Sequence, residues 1–287
     1  MAWRTRREAL RAILSGSTCV RPASVHDALS IRIAEDIGFE VGMLGGSVAS
    51  LAVLGDPDLT LITLTELAEQ VRRMSRAASL PVLIDADHGY GNALNVRRTV
   101  EELEAAGAAG LTIEDTLLPQ AFGQAKPQLI ALEEGVGKIK AAVEARRDPS
   151  LVLVGRTGAA GITSVEDAIA RAQAYEATGV DALFFTGIKT RSDLETIASA
   201  TRLPIVLGSP GDEISDVDYL GSQRVRIAVQ GHAPIAAAVQ AIHETLQAIY
   251  EGTPPKQLKN IASSDLMGNV SRSKSFSRRA ADFLGLK

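Results

Sequence analysis

The 287 residues carry 30 Lys and Arg against 34 Asp and Glu, a net charge of -4, and 46% of them are hydrophobic. That balance describes a globular chain able to bury a sizeable core, with no basic footprint for nucleic acid. No apolar run reaches the roughly 20 residues needed to span a bilayer, and the start lacks the uninterrupted apolar core of a secretory signal. A single cysteine, Cys19, excludes an internal disulfide and a cysteine-rich zinc site. The expected setting is the cytoplasm, with no membrane and no nucleic acid as partner.

In chain order, residues 3 to 15 read as an extra helix ahead of the first strand, placed to cover the bottom of the fold. Eight short apolar runs follow: "TCVRPA" from Thr18, "FEVGMLGG" from Phe39, "LPVLIDAD" from Leu80, "AGLTIED" from Ala109, "SLVLVGRT" from Ser150, "GVDALFFTG" from Gly179, "LPIVLGS" from Leu203 and "RVRIAVQG" from Arg224. A run such as Pro-Val-Leu-Ile, with no polar alternation, suits a strand buried on both faces of a parallel sheet. Between the runs lie amphipathic segments. In "NVRRTVEELEAAG", Val96, Val100, Leu103 and Ala106 form one stripe, and Gly38, Gly107 and Gly179 stand where left-handed helix caps belong. Eight strand and helix pairs without a linker favour a (β/α)₈ TIM-type barrel, carried as one domain through residues 1–287. A long helix starts near Pro234. The tail from about 252 to 287 is read as a helical C-terminal extension, polar and poor core material, whose Phe283 and Leu284 are expected to meet a neighbouring subunit.

In such a barrel the loops after the strands form the reactive face. Strand ends nominate Gly45, Gly46 and Ser47; Asp85, Asp87 and His88; Glu114 and Asp115; Arg156; and Gln230, Gly231 and His232. Clustered carboxylates cost solvation and mutual repulsion unless a cation sits among them. A hard ion such as Mg²⁺ takes one or two carboxylates plus water and substrate oxygens. Arg156 suits a substrate carboxylate or enolate oxygen, and the two glycines let the main chain approach it. A small, anionic, oxygen-rich substrate fits this set. Plainer readings stand beside each piece. Asp85 reads also as a barrel-layer residue, Glu114 and Asp115 as surface acids, and Arg156 as a buried partner for a carboxylate. His88 reads as a wall residue more than a ligand, His26 and His243 as structural, and Ser47 has no adjacent base for an acyl-enzyme.

"VHDALSIRIAEDIGFEVGMLGGSVAS", "PDLTLITLTEL", "DADHGYGN", "GLTIEDTLLP" and "GRT", in this order, resemble the isocitrate lyase and phosphoenolpyruvate mutase superfamily from about Ala23 to Ala160. The resemblance implies an (α/β)₈ barrel that binds Mg²⁺, or Mn²⁺ in its place, with a 2-oxoacid, as a homodimer or homotetramer with the last barrel helix exchanged between subunits. It implies Asp85 as metal ligand, with Asp58, Asp87 and Glu114 holding the metal's waters. Ser47, Gly45 and Gly46 would bind the substrate carboxylate and keto oxygen, and Arg156 the enolate side. "LLPQAFGQAKPQ" lacks the cysteine of the retro-aldol lyases, and it has Lys126 but no Asn of the phosphonopyruvate enzymes. "GGSVAS", "TIEDTLLP", "EEGVGKI" and Gly231-His232 resemble the branch that decarboxylates oxaloacetate, including 3-alkylated oxaloacetate, to pyruvate and CO₂. His232 would orient the substrate there. Two departures are Gly158, where the family usually has Asp or Asn, and "LGSPGDE", which has no tyrosine. A C–C or P–C lyase acting on 2,3-dimethylmalate, methylisocitrate or phosphonopyruvate is the nearer alternative. A barrel that binds a 2-oxoacid without turnover is the other.

Overall fold

The computed structural model describes residues 2 to 286. Its eight strands are β1 (Ala23–Ser24), β2 (Gly42–Leu44), β3 (Val82–Asp85), β4 (Gly110–Glu114), β5 (Val152–Thr157), β6 (Ala182–Phe185), β7 (Ile205–Gly208) and β8 (Val225–Val229). All pair in parallel, in sequence order from β1 to β8. The ring closes just ahead of β1, where Val20 bridges Ile227: Val20 N–H donates to the Arg226 carbonyl and Ala228 N–H to that of Val20, both at 2.9 Å. The TIM-type barrel expected from the strand and helix alternation is therefore present.

The α-helices are α1 (Ala2–Ser15), α2 (Ala28–Ile37), α3 (Gly46–Leu54), α4 (Leu64–Ala77), α5 (Ala93–Ala106), α6 (Leu132–Ala145), α7 (Ala159–Ile162), α8 (Val165–Glu176), α9 (Arg191–Ser199), α10 (Val217–Ser222), α11 (Ala233–Tyr250), α12 (Ser264–Ser271) and α13 (Ser273–Leu284). Local chemistry sets several of their ends. Asp27 and Ser30 form a capping box on α2, Thr63 and Glu66 one on α4, and Asn92 and Asn95 one on α5. Gly38 and Gly107 are left-handed C-caps as expected; Gly179 is also left-handed, but it lies beyond Ala177, which caps α8. The stripe of Val96, Val100, Leu103 and Ala106 on α5 is fully buried.

The chain forms two compact units, one reaching Gly231 and the other starting at His232. The barrel and α1 to α10 make the first. Its interior is one apolar cluster drawn from seven of the strands or the residues flanking them, including Val41, Met43, Leu83, Val152, Val154, Phe184, Val206 and Ile227. Leu10 and Leu14 of α1 join that cluster. Two arginines fasten α1 to the strand starts. Arg7 donates to the carbonyls of Ala108 and Glu104 and to Asp148, and Arg11 to the carbonyls of Ser150 and Leu151 and to Asp181. With the N-terminal end plugged this way, access to the barrel is left to its C-terminal end.

The second unit holds α11, α12 and α13, and the last two supply the expected helical C-terminal extension. Many of its large apolar side chains are exposed, among them Val239, Ile242, Leu246, Phe276, Phe283 and Leu284. Among the described residues, no helix is long and apolar enough to cross a membrane.

If Leu10 is the plug, Leu10→Ala should lower stability by about 2–5 kcal/mol through the cavity it leaves. Urea unfolding measures this, and an unchanged midpoint would remove α1 from the barrel's core.

Candidate active site

Strand periodicity aims the polar residues. Alternate side chains enter the barrel, so Leu83 is followed inward by Asp85, Thr112 by Glu114 and Val154 by Arg156. The parallel register sets Asp85 opposite Thr112, Glu114 opposite Arg156, and Arg156 opposite Phe184. One polar layer results, on top of the apolar one. Arg156 Nη1 meets Asp85 Oδ2 at 2.5 Å, and Arg156 Nη2 meets Glu114 Oε2 at 3.1 Å. The guanidinium carbon lies 5.1 Å from the centre of the Phe184 ring. Thr112 Oγ1 donates to the other Asp85 oxygen at 3.0 Å.

These residues open onto a cleft of about 540 Å³ lined by Asp58, Asp85, Asp87, Glu114, Arg156 and Gly158, together with Thr116, Ile162, Thr186 and the loop side chains Leu118 to Gln120. That loop, after β4, is pinned at its base by a bridge between Thr116 and Leu129 and by Ile130 N–H donating to the Asp115 carbonyl. Of the carboxylates nominated from strand ends, Asp85, Asp87 and Glu114 share one cavity with Arg156, as does Asp58 from the resemblance. Asp58 comes to it from the exposed loop between α3 and α4.

Asp87 reaches its place through strained backbone, with φ of 46°. Its N–H donates to Asp85 Oδ1 at 3.3 Å, and its carbonyl accepts from Glu114 N–H at 2.8 Å. Its carboxylate rests on the first turn of α3, so closely that a Cβ on Gly46 would lie 2.5 Å from Asp87 Oδ1. Gly46 must be glycine for this contact. Gly45 caps α3 and is buried, and Ser47 in the first turn is half-buried. None of the three lines the cleft itself; Gly46 adjoins it through Asp87. His232 opens the second unit, as the residue that caps α11.

The charge balance of the cleft is negative. Burial pushes the Asp87 carboxyl up to about 8, and the charges of Asp85, Glu114 and Asp58 push the same way, only partly offset by Arg156. Burial also raises Glu114. Burial works against the charge of Arg156, but Asp85, Glu114 and Asp87 outweigh it and hold the guanidinium above its ordinary range. A divalent cation would relieve this surplus. Among the described residues no three acidic or histidine side chains converge into a direct ligand set. The donor set therefore fits a hard ion that touches one carboxylate and keeps its waters for the others, as Mg²⁺ does. His88 is buried and pushed down to about 4, by burial and then by Lys138, which leaves a neutral ring suited to a wall.

Sequence reading treated Glu114 and Asp115 alike, and the structure separates them. Asp115 points outward from the barrel, 2% exposed, where it accepts from Tyr175 Oη at 2.7 Å and Arg171 Nη1 at 3.0 Å. Thr112, Lys138, Arg171 and Tyr175 were not nominated. Thr112 stands two residues before Glu114 on one strand face, and Arg171 is a charge on the buried stripe of α8 with Ala168, Ala172 and Tyr175, so period 2 and period 3.6 were the available signals.

A family model described as phosphoenolpyruvate phosphomutase matches residues 10–250. A protein of Rhodopseudomonas palustris (strain BisB18) named oxaloacetate decarboxylase is 75% identical over 287 residues, covering 100% of both chains. Among solved structures, the phosphoenolpyruvate phosphomutase from Streptomyces platensis subsp. rosaceus has a TM-score of 0.86 at 28% identity, over 97% of this chain and 99% of that one. A phosphonopyruvate hydrolase in complex with oxalate and Mg²⁺ has a TM-score of 0.85 at 28% identity, over the same shares, 97% and 99%. The closed parallel barrel, the acidic cleft at its C-terminal end and this likeness along the chain agree: the chain belongs to the phosphoenolpyruvate phosphomutase family.

Proposed function

We propose that this chain is a Mg²⁺-dependent decarboxylase that converts oxaloacetate to pyruvate and CO₂, with Mn²⁺ able to replace Mg²⁺. The observation that carries this reading is the single cleft in which Asp58, Asp85, Asp87 and Glu114 gather around Arg156, in a chain so close to the named decarboxylase. Asp85 would hold the ion directly, and Asp58, Asp87 and Glu114 would hold its waters. When bound, the ion would supply Lewis-acid stabilisation of the negative charge that develops on the substrate.

The chain's own groups account for the rest. Arg156, fixed by two carboxylates and by Phe184, brings a preorganised positive charge to the C2 oxygen, where charge develops as the C3–C4 bond breaks. The electron pair of that bond moves into the C2–C3 enolate, CO₂ leaves, and C3 takes a proton from water or from a loop residue. Ser47 and the Gly45–Gly46 backbone are assigned to the substrate carboxylate, and His232 to orienting the substrate and the departing carboxylate. 3-Alkylated oxaloacetates belong to the same proposal; at Gly158 a Cβ would already lie 3.1 Å from Ile162 Cδ1 and 3.2 Å from Thr186 Oγ1, so the alkyl group is assigned to the open part of the cleft and not to this wall. The exposed apolar side chains of α11 and α13 support assembly into a homodimer or homotetramer in which α11 packs on a neighbouring barrel and the tail beyond residue 252 touches that neighbour. The enzyme is placed in the cytoplasm, and each chain is read as one barrel with its helical extension.

Pyruvate release from oxaloacetate, coupled to NADH oxidation and corrected for the spontaneous metal-catalysed background, should depend on the protein, disappear with EDTA and be inhibited by oxalate. No rate above background, with phosphate released from phosphonopyruvate or glyoxylate from a substituted malate, would assign the cleft to P–C or C–C cleavage. Tight oxalate binding with no turnover of any of these would leave a binding protein.

Asp85→Ala and Arg156→Ala should each lower turnover by roughly a hundredfold or more, the scale seen when a comparable electrostatic group is removed. Near wild-type rates in either variant would count against its role. His232→Gln should lose rate or substrate affinity while metal binding persists, and loss of the metal instead would reassign that residue.

A further inference from the structure

The run "EEGVGKI" breaks the pattern of the helix that contains it. On α6 the buried stripe is Gly135, Lys138, Ile139, Ala142 and Ala145, with a lysine where an apolar residue belongs. Lys138 is 4% exposed. A buried ammonium is unfavourable unless it is paired and hydrogen-bonded, so its contacts should explain it. Lys138 Nζ donates to the carbonyl oxygen of His88 at 3.0 Å, across 50 residues of sequence. That carbonyl follows Asp87 directly.

The Asp87–His88 segment is thereby gripped at three backbone groups. Asp85 takes the Asp87 N–H, Glu114 N–H takes the Asp87 carbonyl, and Lys138 takes the next carbonyl. The first two grips come from residues of the cleft. The third comes from a helix behind it and opposes relaxation of a left-handed backbone that aims the Asp87 carboxylate.

The same turn of α6 serves the next strand. Gly135 lies so close to Tyr175 that a Cβ there would sit 2.4 Å from the phenol oxygen. Tyr175 passes α6 through this gap to bond Asp115 at 2.7 Å, and this anchors the outer side of the strand end whose inner side carries Glu114. One helical turn thus braces both acid-bearing loops from outside.

We infer that Lys138 is a positioning residue for the divalent-cation site, acting through the His88 carbonyl to hold Asp87 in place. The inference rests on the metal reading above, and its test separates the two. Mn²⁺ binding to the full-length protein is followed by the EPR signal of free Mn²⁺, with no turnover involved. Wild type should bind, and Asp85→Ala should not. Lys138→Met should weaken Mn²⁺ binding by roughly tenfold to a hundredfold, the usual effect of losing a group that orients a ligand. Lys138→Arg, which keeps charge and donor, should recover part of that loss. In turnover, Lys138→Met should need more Mg²⁺ for half-maximal rate, while KM for oxaloacetate at saturating Mg²⁺ stays near wild type.

Wild-type Mn²⁺ affinity in Lys138→Met overturns the positioning role and leaves the metal reading intact. Absence of Mn²⁺ binding in wild type, or full binding by Asp85→Ala, overturns both. Where Lys138→Met does not fold, Lys138→Gln, with its shorter neutral donor, is read by the same two outcomes.

Discussion

The guanidinium of Arg156 is the contact on which the cleft depends. Two carboxylates from neighbouring strands, Asp85 and Glu114, point into the same small volume at the top of the barrel, each barely exposed. Alone they would repel each other in a poorly solvated place; Arg156, one strand further on, takes one oxygen from each. Removing one member of a buried ion pair generally costs about 3–5 kcal/mol, because the remaining charge is stranded. Here two would be stranded. The geometry is a product of the parallel register, which sets Glu114 directly beside Arg156 and places Asp85 within reach across β4.

One arginine does not balance four acids, and the fold leaves that imbalance in place. Asp87 and Glu114 both carry it: burial raises each carboxyl, and like charges around them push the same way. A group such as Asp87, on strained backbone and against Gly46, costs stability, and the proposed cation site would account for that cost. The strain is contained from behind. Arg171 and Tyr175 hold Asp115 on the outer side of β4, and Lys138 holds the His88 carbonyl.

At the opposite end of the barrel the same kind of chemistry has a different purpose. Arg7 and Arg11 join α1 to backbone carbonyls and to Asp148 and Asp181, and Leu10 and Leu14 complete the apolar interior. These arginines are satisfied by local acceptors and leave no surplus charge. Position relative to the strand direction thus divides structural from reactive ion pairs: strand starts are closed, strand ends are open.

The sequence by itself determined the barrel, the extra N-terminal helix and the four carboxylates with Arg156. Apolar runs bounded by helix caps are local signals, and a residue just after such a run must lie at the open end. Asp58 was the exception. It stands in a loop after a helix, and only its family resemblance pointed to the cleft. Tertiary structure alone decided that Asp115 turns away from Glu114, that Gly46 gives way to Asp87, that Thr112 supports Asp85, and that the buried Lys138 reaches the His88 carbonyl. These decisions rest on partners 27, 50 and 60 residues apart, as in the contacts of Thr112 with Asp85, Lys138 with His88 and Tyr175 with Asp115. Periodicity tells which face of its own element a side chain takes, and only the packing of elements tells what that face meets.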